Sequence, residues 1–212
     1  MMRRKLFISI LLLIIGPSVL SARMLPDGWV FDRFRFGVEW GYTQSFYLHR
    51  DYNFISEEGY RVFEQTSGFA FHPNAQILGQ VGFSLSERVQ LSVLGGYMGV
   101  GRANRLFPVL LRLSIFPETL TEDGFFYFAQ GGPAWHPKSS AGEGTAILTS
   151  AGAGYRLRLS TDCCLDLLVG IKYLADHPAI PNPDGPGKVP GRNIRKNYAG
   201  YCALDFSIAI SF

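Results

Sequence analysis

The chain has 212 residues, 47% hydrophobic and 14% aromatic, with 20 basic against 17 acidic side chains. The first 22 residues hold Arg3, Arg4 and Lys5 and no acid, so the remainder carries 17 charges of each sign and lacks the basic footprint of a nucleic-acid binder. The three cysteines are the adjacent pair Cys163 and Cys164 and the distant Cys202. They match no metal-ligand spacing and leave at least one thiol without an intramolecular partner, so neither a metal nor another cofactor is expected.

The chain opens on a basic start followed by the apolar run Leu6 to Ile15. That run is of signal-peptide length and too short to span a bilayer as a helix. Gly16 and Pro17 break it, and Ser21 and Ala22 are small enough for a cleavage site. Residues 1–22 are therefore expected to be a cleavable signal peptide. Residues 23–33, with the turn signal Pro26-Asp27-Gly28, read as a short lead-in, and 34–212 as one β domain.

Strand one is expected over 34–48, with Phe34, Phe36, Val38, Trp40 and Tyr42 on one face and Arg35, Glu39 and Thr43 on the other. The polar stretch 49–68 reads as a loop. Strand two, about 71–85, sets Ala75, Ile77, Val81, Phe83 and Leu85 against Asn74, Gln76, Gln80 and Ser84. Strand three spans 89–100. Strand four, 106–116, sets Phe107, Val109, Leu111, Leu113 and Ile115 against Leu110, Arg112 and Ser114, with Pro108 tolerated near its start.

Strand five, 125–135, has no readable parity, because Phe125, Phe126, Tyr127 and Phe128 run consecutively. Strand six, 145–159, alternates Ala153, Tyr155, Leu157 and Leu159 with Gly152, Gly154, Arg156 and Arg158. Strand seven, 164–174, alternates Leu165, Leu167, Val169, Ile171 and Tyr173 with Asp166, Gly170 and Lys172. A Pro/Gly-rich loop at 175–200 precedes the last strand, 201–212. There Cys202, Leu204, Phe206, Ile208, Ile210 and Phe212 alternate with Tyr201, Ala203, Asp205, Ser207, Ala209 and Ser211.

Eight alternating strands, short connections after the even ones and a terminal aromatic resemble the small eight-stranded bacterial outer-membrane β-barrels. These are the OmpA/OmpX-like, porin-like "outer membrane protein beta-barrel" families. The resemblance implies an all-β fold: an antiparallel up-and-down transmembrane barrel in the bacterial outer membrane, a monomer surrounded by lipid and lipopolysaccharide. It implies that both ends and the 23–33 lead-in are periplasmic, and that the long loops face outward. It also makes Phe212 the signal read by the barrel-assembly machinery. A soluble lipocalin-like barrel is the rival eight-stranded fold. It would put its apolar rows inside, whereas here large apolar rows stand opposite rows holding Arg, Glu, Asp and Lys, which suits lipid as the solvent.

The lumen-facing charges are then Arg35, Glu39, Arg112, Arg156, Arg158, Asp166, Lys172 and Asp205. Buried charges must be paired or wetted. Glu39, Arg112, Arg156 and Asp166 are expected low in the barrel as one network, with Lys172 and Asp205 higher on neighbouring strands. Leu94, Leu110 and Leu168 point into the same space, which favours a plug over a water-filled path. Basic residues of the last loop, Lys188, Arg192, Arg195 and Lys196, are candidates for lipopolysaccharide contact. Tyr52, Phe54, Tyr60 and Phe63 make the first loop a candidate partner surface.

Three functions follow: a structural or surface-interaction barrel with a plugged lumen, first; a narrow pore, second; and a lipid-modifying enzyme, third. For the third, His49 with Asp51, His72, His136 near Ser139 and Ser140, and Asp176 beside His177 are the candidate groups, without a matching catalytic motif. No catalytic residue is therefore expected.

Overall fold

The computed structural model describes residues 34–102, 104–120, 122–137, 145–160 and 163–212. The expected signal peptide 1–22, the lead-in 23–33, and Ser139 and Ser140 lie outside the described residues. The chain divides at residue 34 into two units, of which the second is Arg35–Phe212. The second is the barrel.

Eight antiparallel strands follow one another around a closed sheet: β1 (Phe34–Ile55), β2 (Arg61–Ser86), β3 (Val89–Val100), β4 (Asn104–Ile115), β5 (Gly124–Trp135), β6 (Thr145–Arg158), β7 (Cys164–Asp176) and β8 (Ile194–Ser211). Pairing of β8 with β1, from Gly37 opposite Ser211 to Phe54 opposite Ile194, closes the circle and leaves no free edge through the barrel wall. The last residue takes part: Phe212 and Phe36 exchange two backbone hydrogen bonds of 2.8 Å. We call this the turn end, because the β2–β3, β4–β5 and β6–β7 connections lie there. The opposite end is the loop end.

The two faces of the wall separate by chemistry. Outside are Trp40, Tyr42, Ile77, Val93, Leu111, Leu113, Val169, Ile171, Phe206 and Ile208, all exposed. Inside are Glu39, Gln76, Arg112, Arg156, Asp166, Lys172 and Asp205, all buried. An apolar outer surface around a charged interior inverts the arrangement of a water-soluble protein. No helix among the described residues is long and apolar enough to cross a membrane.

The ambiguous aromatic run on β5 is settled by packing. Phe125 and Tyr127 face outward, 68% and 60% exposed, while Phe126 and Phe128 turn inward and are buried. The space for the inward rings comes from glycines. A Cβ on Gly154 would lie 2.7 Å from Cε1 of Phe126, and one on Gly152 would lie 2.8 Å from Cζ of Phe128. Gly154→Val should therefore destabilise the barrel by about 1–3 kcal/mol through overpacking. Urea unfolding in detergent, with an unchanged midpoint as the contrary result, checks this.

Three expectations are corrected. The stretch 49–68 is not a loop: β1 runs on to Ile55 and β2 starts at Arg61, leaving only the turn 56–60, with Gly59 at φ 89°. β8 begins at Ile194, so the last loop shortens to 177–193. Pro108 lies in the interior of β4, opposite Ala134, next to a gap in the β4–β5 ladder at Val109 and Leu110. Outside the lipid the apolar alternation stops, although backbone pairing continues, so the sequence pattern ends earlier than the strands.

Candidate functional site

The interior is built in layers. Nearest the turn end, Arg156 on β6 holds Asp166 on β7 with two hydrogen bonds of 2.7 Å, Nε to Oδ1 and Nη2 to Oδ2. The strand register sets this up, since Arg156 and Asp166 are direct cross-strand partners. The guanidinium lies 4.5 Å from the ring centre of Phe116 and 5.7 Å from that of Phe126. Its Nη1 donates to the Leu120 carbonyl at 3.3 Å. Phe116 and Leu120, from the β4–β5 connection, are buried with Phe126, Phe128 and Leu168. That connection folds in beneath the charge pair and covers it.

The next layer holds two acid–base pairs that share a glutamine. Arg112 Nη2 on β4 lies 2.7 Å from Glu39 Oε2 on β1, across the lumen, and its Nε donates to Gln130 at 2.8 Å. Lys172 Nζ on β7 lies 2.8 Å from Asp205 Oδ1 on β8. Gln76 on β2 joins them: its amide donates to Glu39 at 2.9 Å and to Ser207 at 2.7 Å, and its carbonyl accepts from Lys172. Thr43 donates to Asp205 at 3.2 Å. The expected single low network is thus two. Arg156–Asp166 stands apart from Glu39–Arg112, and the rings of Phe126 and Phe128 lie against the two guanidinium groups.

Beyond these charges the lumen turns apolar. Leu78, Leu94, Met98, Leu106, Leu110, Leu148 and Leu174 form one fully buried cluster with Tyr201. Above it, Asp176 at the end of β7 accepts from His136 Nε2 at 2.8 Å, from Asn104 Nδ2 at 3.3 Å and from the His177 backbone N–H at 2.8 Å. The sequence suggested Asp176 with its neighbour His177. The fold instead brings in His136 from just past the end of β5 and Asn104 from the start of β4, and nothing in the linear spacing signals that meeting.

Arg158 leaves the lumen set. Its parity matches Arg156, but it sits on the last residue of β6, exposed at the rim, where its Nε donates to the Ser160 carbonyl at 3.1 Å. Arg35 is half-buried at the same end and donates to Cys164 Sγ at 3.3 Å. All three cysteines are free thiols. Cys164 pairs with Ser211 while Cys202 pairs with Tyr173, so nine residues of β8 separate the two levels.

At the loop end, β1, β2 and β8 rise beyond the other strands. The 177–193 loop lies against them, with Ile180 and Val189 packed on Tyr52 and Phe54. Of the four aromatics expected to form a partner surface, Tyr52 and Phe54 are therefore buried, and only Tyr60 and Phe63 are exposed. The expected lipopolysaccharide contacts Lys188, Arg192, Arg195 and Lys196 are all exposed, and Lys196 is also ion-paired with Asp51. His49 meets Ser67 at 2.6 Å rather than acting with Asp51.

Tyr60 ties the loop down by donating to Asp184 at 2.7 Å. That bond holds the Asp184 carboxyl below its ordinary value and the Tyr60 phenol above its own. A lowered carboxyl contributes to docking above its undocked pKa, and loses that contribution as pH falls through the docked one. A raised phenol contributes below its undocked pKa, and loses it as pH climbs through the docked one. Docking should thus be fullest between about pH 4 and pH 10. NMR shifts of the loop against pH check this: they should move at both limits, and flat shifts through both would remove the pair.

A closed eight-stranded wall, apolar outside and ion-paired within, defines a transmembrane β-barrel of the outer-membrane type. No protein-family model matches the chain, and no curated protein matches it. Among solved structures it is similar to the outer membrane protein OprG from Pseudomonas aeruginosa (8% identity, TM-score 0.47, covering 84% of this chain and 95% of that one). It is also similar to the outer membrane protein AlkL (9%, 0.45, 89% and 92%) and to the outer membrane protease OmpT from Escherichia coli (10%, 0.38, 88% and 99%). At such identities the class rests on the barrel's own geometry.

Proposed function

We propose that this is an outer-membrane barrel with a structural or surface-interaction role. In this reading it is monomeric and non-catalytic, closed through the middle and presenting its loop end to lipopolysaccharide or a partner. The observation that carries the reading is the filled lumen. Three acid–base pairs balance one another in charge, and a buried cluster of leucines with Met98 lies beyond them. An eight-strand interior is just wide enough for such side chains to fill. Asp176, held by three donors, closes the loop side. Exposed Lys188, Arg192 and Arg195 support contact with lipid phosphates.

Liposome swelling tests the closure. Proteoliposomes should swell in sugar no faster than empty ones; steady permeation would overturn the plug and favour the narrow pore. The enzyme reading is tested by lipid A mass spectra from cells with and without the gene. These should be identical, and a mass shift would reinstate catalysis.

A further inference from the structure

The outer wall is not uniformly greasy. Near the loop end it holds a cavity of about 430 Å³ lined by Tyr42, Pro73, Ala75, Tyr97, Gly99 and Arg105, with Asn74 at its edge. Its floor is made by small residues where neighbouring outward positions are large: Ala75 on β2 and Gly99 on β3, beside Ile77 paired with Tyr97. The exposed rings of Tyr42 and Tyr97 both line it. The result is a slot with aromatic walls, on the face that meets lipid chains.

The end of the slot toward the loops is cationic. Arg105 is directly opposite Gly99 across the β3–β4 ladder, and its Nη1 donates to Asn74 Oδ1 at 2.8 Å. Asn74 is fixed in turn by donating to the Gly101 carbonyl at 2.8 Å. This bridge passes over the glycine: a Cβ on Gly99 would lie 2.5 Å from Asn74 Oδ1 and 2.9 Å from Arg105 Nη1. Three strands therefore cooperate to lay a guanidinium across the slot. A guanidinium carries five N–H donors in a fork that suits phosphate, and Arg105 is exposed.

An exposed arginine on a lipid-facing row, one strand residue from the loop end of β4, lies at the height of lipid headgroups rather than acyl chains. We propose that this slot is a specific site for one phosphate-bearing membrane lipid, with an acyl chain against Tyr42 and Tyr97 and the phosphate on Arg105. This goes beyond the proposed function, since it concerns the wall and not the lumen or the loops, and it holds whether or not the lumen conducts.

Native mass spectrometry of the full chain released from micelles containing phosphatidylglycerol tests it. One phosphatidylglycerol should stay bound to the wild type. Occupancy should fall at least tenfold in Arg105→Gln, which removes the charge, and in Ala75→Phe, which fills the floor. Diacylglycerol, which has the acyl chains but no phosphate, offered at the same concentration should be retained at least fivefold less. Heat-modifiable gel migration shows whether each variant is folded, and Arg105→Gln, a surface change, keeps the test open if Ala75→Phe fails to fold. Equal retention by the wild type and Arg105→Gln, or equal retention of the two lipids, would overturn the site and leave only non-specific boundary lipid.

Discussion

Glu39→Ala is expected to destabilise the barrel by about 3–5 kcal/mol, because it strands Arg112 inside the lumen without its counter-charge. Glu39 is fully buried and meets Arg112 at 2.7 Å from across the lumen. Arg112 would keep its bond to Gln130 and its place 5.1 Å from the Phe128 ring, neither of which neutralises it. Gln76 would lose one of its acceptors as well. The measurement is urea unfolding in detergent or lipid. A second variant separates the pair from the site: Glu39→Met with Arg112→Met removes both charges and should recover most of the loss, since an apolar pair of similar volume is often neutral. A midpoint unchanged in Glu39→Ala would mean that water, not Glu39, balances Arg112.

Val169→Arg is expected to cost about 2–4 kcal/mol, against about 0–1 kcal/mol for Leu85→Arg. Both side chains are outward and exposed, so in water either change would be nearly silent. Val169 lies near the middle of β7, whereas Leu85 is the penultimate residue of β2, beside a turn. A charge at mid-wall must be carried into hydrocarbon, while one at the rim reaches headgroups and water. Equal costs at the two positions would mean that the wall does not face a bilayer.

Much of the barrel was legible in the chain because a strand's side chains alternate with a period of two. Phe206 with Ile208 against Asp205 with Ser207 is enough to say which face of β8 meets lipid and which the lumen. The structure keeps that division on every strand where the alternation was readable. Parity, however, names a face and not a height. Arg156 and Arg158 share a face, yet one is buried in an ion pair and the other lies on the rim. The upper parts of β1 and β2 escaped notice for a related reason. Above the lipid the outer face no longer meets hydrocarbon, so residues 61–68 carry no apolar alternation and the short row of Tyr52 and Phe54 is covered by the 177–193 loop instead, although both stretches are hydrogen-bonded strands.

What the linear pattern determined, then, was the fold class, the strand number and the sign of each face on every strand but β5. These are local consequences of a half-apolar pleat. Only closure of the sheet decided the partners. Glu39 finds Arg112 across the lumen, and Gln76 links Glu39 to Lys172, because the barrel brings β1, β2, β4 and β7 around one axis. His136 reaches Asp176 in the same way, and Arg105 reaches Asn74 over the space that Gly99 leaves open. Such meetings depend on register and curvature summed over several strands, quantities that no single strand's sequence contains.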